Sequence, residues 1–269
     1  MKRALLYIVL VLASCVMVWP FLWMVTTAFK DLLGATTPSL GLWPGKWHWE
    51  NIPETFRAAP FGRYFINTFL VAAAVCAGVV FTSLCAGYAF ARLRFPGRGA
   101  LFAVVMGGMM VPFEVVFIPN FVLITRLGWY NTHAALIVPW CASAFSIFLM
   151  RQAFAGLPAD FYDAARVDGC GHFRFLFRIG APLVRPMMIT VALFAFLGGY
   201  NALLWPLVVT ADESMRVVQV GLTVFATDAG VRLNLLMCAS AIVILPTIAV
   251  YFAAQRYFVE SALGAGIKA

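Results

Sequence analysis

Six long stretches of this chain contain almost nothing but apolar residues, and that limits its fold more than any motif. They run roughly from Ala4 to Phe29, Tyr64 to Ala91, Gly99 to Thr125, Leu127 to Met150, Pro186 to Ala211 and Leu233 to Gln255. Each exceeds the ~20 apolar residues that a helix needs to cross a bilayer, and Glu114 is the single formal charge inside them. Charged residues make up 11% of the chain, far below the roughly 25% of a soluble domain. Hydrocarbon offers no partner to a backbone N–H or C=O, so a crossing segment must bond internally, as a helix does. The expected fold is an all-α membrane protein with six transmembrane helices.

Placing the amino terminus inside collects Lys2, Arg3, Arg92, Arg94, Arg98, Arg151, Arg166, Arg174, Arg178, Arg185, Arg256 and Lys268 on one side. The other side then holds Lys30, Lys46, Arg57, Arg63, Arg126, Arg216 and Arg232. Basic residues favour the cytoplasmic face, so both termini are expected in the cytoplasm. The net charge of +8 is mainly this orientation signal and does not point to nucleic acid. Met1-Lys2-Arg3 followed by Leu12-Ala13-Ser14-Cys15 mimics a cleavable leader. The apolar run continues to Phe29, however, too long for a leader's core, and is expected to be the first helix.

Reactive clusters are missing. Cys15, Cys76, Cys85, Cys141, Cys170 and Cys238 form no Cys-x-x-Cys pair, and His48, His133 and His172 are dispersed. Neither a disulfide framework nor a metal site is expected. The nearest approach to a phosphate-binding loop, Gly41-Leu42-Trp43-Pro44-Gly45-Lys46-Trp47, is one residue short between its glycines and has Trp after the Lys. The chain is expected to bind no ATP and to catalyse nothing.

Some positions inside the spans carry more information. Pro112 and Pro119 interrupt the third run around Glu114, and proline removes a helical donor. An intramembrane acid beside a broken helix can mark a transport path. Equally, Glu114 can bond backbone groups freed by Pro112 and shape the kink only. Ala73/Ala77 and Ser83/Gly87 in the second run give small residues at four-residue spacing for close helix packing. The outer loop from Lys30 to Arg63 holds Trp43, Trp47 and Trp49, residues that favour the headgroup level; a packed cap without a binding role accounts for them as well.

The longest inner loop, Arg151 to Arg185, contains Asp160-Phe161-Tyr162-Asp163-Ala164-Ala165-Arg166-Val167-Asp168-Gly169-Cys170, and Ile179-Gly180-Ala181-Pro182 follows. Asp160 can cap a short helix, with Asp163 reciprocating in a capping box. Ala164 and Ala165 keep its surface low, and Gly169 is placed to end it in a left-handed turn. A second amphipathic piece puts Phe173, Leu176 and Phe177 on one face and Arg174 with Arg178 at i,i+4 spacing. Helix physics alone also allows a surface helix lying among anionic headgroups.

The spacing of this loop resembles the coupling loop of ATP-binding-cassette importer permeases, Glu-Ala-Ala-x-x-Asp-Gly-Ala, with Asp163 in place of the Glu and Cys170 in place of the last Ala. Other patches are similar to carbohydrate-type permeases: Gly87 to Gly97, Asn131-Thr132-His133-Ala134-Ala135-Leu136-Ile137, Asn201 with Leu204-Trp205-Pro206-Leu207, and Gln255-Arg256-Tyr257-Phe258-Val259. Tyr200 departs from the usual Trp, and Glu260-Ser261 from a usual Gly. The resemblance is nearest to the small membrane subunit of maltose-type transporters.

It implies one transmembrane domain over 1–269, with a core of about 64–258 and a cytoplasmic coupling loop of about 156–182 between helices four and five. It also implies a second permease chain, an ATPase homodimer or heterodimer carrying ATP and Mg, an extracytoplasmic solute-binding protein, and a place in the inner membrane of a prokaryote. Asp160, Asp163, Ala164, Ala165, Asp168, Gly169 and Pro182 would grip the ATPase, and Glu114, Asn120, Tyr200 and Asn201 are candidates for the substrate path. The tail Leu263 to Lys268 resembles a segment that reaches between the ATPase subunits. Import of sugars or related polyols is the implied function. A carrier or channel working alone is the competing class, though one Glu and no internal repeat argue against it. A membrane enzyme or scaffold would need reactive groups the sequence lacks.

Overall fold

The computed structural model describes residues 2–37, 41–227 and 230–266. Pro38 of the outer loop and Ile267 and Lys268 of the tail lie outside the described residues. In chain order the helices are α1 (Lys2–Ala28), α2 (Leu32–Thr36), α3 (Asn51–Ala58), α4 (Phe61–Arg92), α5 (Arg98–Gly108), α6 (Phe113–Arg126), α7 (His133–Ile137) and α8 (Ala144–Ala155). There follow α9 (Ala159–Val167), α10 (His172–Phe175), α11 (Ala181–Leu183), α12 (Arg185–Tyr200), α13 (Leu204–Val209), α14 (Val218–Leu222) and α15 (Leu233–Gly266). Ala226–Thr227 and Gly230–Val231 pair antiparallel.

Three helical stretches, Arg3–Ala28, Phe61–Arg92 and Leu233–Ala253, are long and apolar enough to cross a membrane singly. The third and fourth apolar runs are broken instead of continuous. Arg98–Gly108 and Phe113–Arg126 meet at 96°, and His133–Trp140 meets Ala144–Ala155 at 43°. Counting each bent pair as one span gives up to six. The fifth run also departs from one helix: α12 stops at Tyr200, and α13 begins only at Leu204. Before it, His172–Leu183 meets Arg185–Tyr200 at 85°.

Proline accounts for each break. Pro112 takes the N-cap of α6 in extended geometry. Pro139 cannot donate to Ala135, Pro186 cannot donate to Pro182, and Pro206 cannot donate to Ala202. In water such losses are made good by solvent; within a bilayer the freed groups need protein or a wet cavity.

The chain divides into two compact units, Met1–Phe65 with Val218–Ala249 and Ile66–Val217 with Val250–Ala269. In the first, buried Asn51 closes the end of α1, its Nδ2 donating to the carbonyls of Ala28 (2.8 Å) and Lys30 (2.9 Å). Asn234 Nδ2 donates to Asn51 Oδ1 at 3.3 Å, and Arg232 pairs with Glu54. Trp47 and Trp49 stack on each other and pack at a tilt on Phe29, with Trp43 beside Trp47, and all three Trp remain exposed. Residues 3–23 of α1 are exposed along their whole length.

The second unit is built on α4, and its packing corrects one sequence expectation. Ala73 and Ala77 point outward, whereas Ala72, Val75, Val79 and Ser83 form the buried stripe. Close approach occurs at glycines. A Cβ on Gly87 would lie 2.6 Å from Met150 Cβ and 2.9 Å from the Arg151 nitrogen, and one on Gly78 would lie 2.6 Å from Cys141 Sγ. A Cβ on Gly199 would lie 3.1 Å from Ala72 Cα. The helix period, not the four-residue spacing alone, decides which small residues meet a neighbour.

Candidate functional site

Two features of the second unit bear on function: the polar loop after α8, and a cavity at the helix breaks. Arg92, at the end of α4, donates through Nη2 to the carbonyls of Phe154 (2.8 Å) and Leu157. A guanidinium at the carboxyl end of α8 satisfies acceptors the helix leaves open and favours its dipole. It thereby fixes where the loop departs.

The short helix is present as α9, but the expected capping box is not. Pro158 (φ −55°, ψ 141°) occupies the N-cap and no side chain caps it. Its ring holds the extended cap geometry two residues early, so Asp160 falls inside the first turn, where a carboxylate acts on the dipole. The other end matches expectation. Gly169 has φ +71°, its N–H donates to Arg166 O at 3.0 Å, and Cys170 N–H donates to Ala165 O at 2.8 Å. These two bonds are a Schellman closure. Ala165 is buried, whereas Asp160, Asp163, Ala164, Asp168 and Gly169 are exposed. Phe161 and Val167 are exposed apolar side chains on the same short helix.

The second piece also differs from expectation. Phe175 and Leu176 are buried, while Phe173 is 76% exposed and Phe177 lies over Phe81 at 6.4 Å. The buried positions 175, 176, 180, 181 and 184 follow the helix across a π-helical turn at Leu176–Gly180, which rotates the face by about one residue. Phe175 packs on Tyr88 and edge-on to Tyr162 at 5.2 Å. His172 Nδ1 faces the Tyr88 hydroxyl at 2.9 Å and the Tyr162 hydroxyl at 3.3 Å. Tyr162 on α9 is thus tied through His172 to the end of α4. Pro182 is exposed within α11, just before the 85° bend.

The cavity, an open cleft of about 790 Å³, lies where the breaks converge. Phe113 opens α6, Trp140 and Ser143 flank the gap before α8, and Asn201 to Leu203 are the gap between α12 and α13. Val71, Val75 and Val79 of α4 and Phe194 of α12 complete its walls. Of the four residues expected on a substrate path, Asn201 lines it. Tyr200 is buried behind, against Phe69 and Phe196. Glu114 is exposed in the first turn of α6, next to lining Phe113, and hydrogen bonds no freed backbone group among the described residues; Asn120 is further along α6. Sequence reasoning missed Trp140, Ser143 and Ser146. Their signal was present: a proline followed by Ser-x-x-Ser inside an apolar run marks a break and a helix cap.

Two of the sequence patches now have physical roles. Asn131 has φ +59°, and its side chain clamps the 210–212 turn. Its Nδ2 donates to Asp212 Oδ2 at 2.6 Å, while its Oδ1 accepts from the N–H of Ala211 (2.9 Å) and Asp212 (3.1 Å). Thr132 caps α7 by accepting from Ala135 N–H. Trp205 Nε1 donates to Ala135 O at 2.8 Å, the acceptor that Pro139 leaves without a helical donor. The Asn-Thr patch and the Trp-Pro patch are two halves of one construction.

Comparison with known proteins places these residues in context. The family described as "binding-protein-dependent transport system inner membrane component" matches residues 78–262. The diacetylchitobiose uptake system permease protein NgcG of Streptomyces coelicolor is 31% identical over 257 residues, covering 94% of this chain and 85% of the relative. The sn-glycerol-3-phosphate transport system permease protein UgpE of Yersinia enterocolitica is 31% identical over 262 residues, covering 94% and 93%. The lactose transport system permease protein LacG of Rhizobium radiobacter is 32% identical over 262 residues, covering 96% and 94%. In fold, the chain superposes with a TM-score of 0.85 on a chain from the crystal structure of a bacterial ABC transporter involved in alginate import, at 21% identity and 96% coverage of each.

Proposed function

Because the chain belongs to the family of binding-protein-dependent transport inner membrane components, we propose that it is the membrane-spanning permease subunit of an ABC importer for sugars or related polyols. The observation that carries this reading is the extent of the match, which takes in both the α9 loop and the cavity and reaches relatives named for disaccharide and glycerol-phosphate uptake. Hydrolysis of ATP belongs to a separate subunit, since the chain has no phosphate-binding loop. A second permease chain, a pair of ATPases and a solute-binding protein complete the assembly in a bacterial inner membrane, and this chain needs no cofactor of its own.

In this reading residues 1–269 form one transport domain of six spans with both termini in the cytoplasm. Asp160, Asp163, Ala164, Ala165, Asp168 and Gly169 present α9 to the ATPase, and Pro182 completes the grip just before the bend at Pro186. Closure of the ATPases on ATP moves α9. Three links pass that motion to the spans: Arg92 to the end of α8, His172 to α4, and the continuous path from α10 to α12. Switching a two-state equilibrium from 1:99 to 99:1 needs ~5.5 kcal/mol of differential binding. A helix seated on several such links can transmit it. Asn201 faces the solute, and Glu114, Asn120 and Tyr200 support the path. The end of α15 extends toward the ATPases.

The test is co-purification in detergent with the ATPase encoded beside this chain. Wild type retains the ATPase and Asp163→Arg loses it. A wild-type chain that never holds an ATPase would overturn the proposal in favour of a carrier working alone.

A further inference from the structure

The cavity at the helix breaks carries an inference about what crosses the membrane, which rests on the permease reading. None of its lining residues among those described is ionisable. Its walls are aromatic, with Phe113 5.4 Å from Trp140 and Trp140 5.8 Å from Trp205. Ser146 is 4% exposed and lines the cavity, and its hydroxyl has no hydrogen-bond partner among the described residues. The Trp140 indole N–H, on a partly exposed side chain, likewise has none among the described residues. An unpaired hydroxyl on a side chain nine-tenths buried is costly, so Ser146 is placed to meet something that enters, and the Trp140 indole opens on the same cavity. The volume, about 790 Å³, falls in the range of small-molecule sites, roughly 300–1,000 Å³.

We infer that this cavity is a binding site for a neutral, polyhydroxylated solute of mono- to disaccharide size, held by Ser146 and Trp140, and that it rejects phosphorylated or carboxylated solutes. A sugar ring offers both things the lining asks for. Its hydroxyls supply an acceptor for the Trp140 N–H and either role for Ser146. Its C–H faces lie against the electron-rich faces of Phe113 and Trp140. An anion meets the opposite situation. A buried charge must be paired, and no lining residue is a cation. The neighbouring formal charge, Glu114 beside Phe113, has the wrong sign. The amino end of α8 is partly used already, since Ser146 N–H donates to Ser143 Oγ at 3.3 Å. Relatives named for disaccharides and for glycerol phosphate are equally similar to this chain, so overall identity does not decide between them.

The test uses the full assembly of this chain, its partner permease and its ATPase in nanodiscs, without binding protein. Equilibrium binding is measured with radiolabelled lactose, N,N′-diacetylchitobiose and sn-glycerol 3-phosphate, on wild type, Ser146→Ala and Trp140→Phe. At least one neutral disaccharide is expected to bind saturably, each substitution to weaken it about five- to tenfold, and glycerol phosphate not to compete. Tighter binding of glycerol phosphate than of either disaccharide overturns the inference, as does absence of disaccharide binding or unchanged affinity in both variants. ATPase retention by the same preparations is read in parallel. Retention with any of the overturning results removes the cavity assignment and leaves the permease reading standing, whereas loss of the ATPase from wild type removes both.

Discussion

Replacing Gly169 isolates the geometry of α9 from its contacts. An added Cβ would meet nothing within 4 Å, so the whole effect of a substitution comes from the backbone at φ +71°. A β-carbon in this left-handed region costs ~1–2 kcal/mol. The alternative is to swing φ out, which gives up the bonds from Gly169 N–H to Arg166 O and from Cys170 N–H to Ala165 O. Each is worth ~0.5–1.5 kcal/mol, so the penalty is capped near 1–3 kcal/mol. Valine is expected at the top of that range, alanine in the middle, and asparagine lowest because it tolerates this conformation. At roughly 1.4 kcal/mol per tenfold, valine opens the turn by about 10- to 100-fold. Two assays read this: amide exchange at Cys170, which speeds in the order Asn, Ala, Val, and ATP-driven uptake in vesicles, which falls in the same order. Equal uptake loss by asparagine and valine would refute the conformational argument and place the effect in a side-chain clash with the partner. Unchanged exchange in the valine variant would refute it as well.

Further expectations concern the clamps around the site. Arg92→Ala removes both hydrogen bonds that Nη2 makes at the end of α8 and is expected to lower the thermal transition in detergent and weaken ATPase retention, with Arg92→Lys intermediate because its shorter, flexible stem holds the ammonium less firmly between the two carbonyls; equal stability of all three would sink the capping role. Asn131→Asp sets a carboxylate against Asp212, whose Oδ2 lies 2.6 Å from the present amide. Two such carboxylates resist ionising together, so the variant is destabilised at neutral pH and recovers as pH falls and one protonates; a pH-independent loss measured by thermal unfolding would contradict this. Trp205→Phe keeps the ring but strands the Ala135 carbonyl, at a cost of ~1–3 kcal/mol, checked by the same unfolding measurement. Gly87→Ala is expected to cost ~1–3 kcal/mol by overpacking, since the clash at 2.9 Å is with backbone of α8.

The loop was the more legible of the two functional features. Gly169 announced a left-handed turn because almost no other residue occupies one cheaply, and the α9 boundaries followed within a residue or two. The capping box failed because Pro158 competes for the cap and wins by its fixed φ. The face of the second piece failed because a π-helical turn shifts the period, which no spacing in sequence reveals. The cavity was barely legible. Pro112 marked one of its three gaps, but Pro139 and Pro206 sit in runs apolar enough to read as straight helices.

Sequence alone determined the class of the molecule. Hydrocarbon tolerates only internally bonded backbone, so six apolar runs mean helices, and the loop spacing carried the family. The tertiary structure decided where those helices stop being helices. Each proline frees a carbonyl, and only packing says what satisfies it: the Trp205 indole for Ala135, across 70 positions of sequence. The same packing chose which small residues of α4 touch a neighbour, and it left Ser146 and Trp140 facing a cavity instead of a partner. Such pairings depend on distance in space between segments far apart in the chain, and a linear pattern holds no record of that distance.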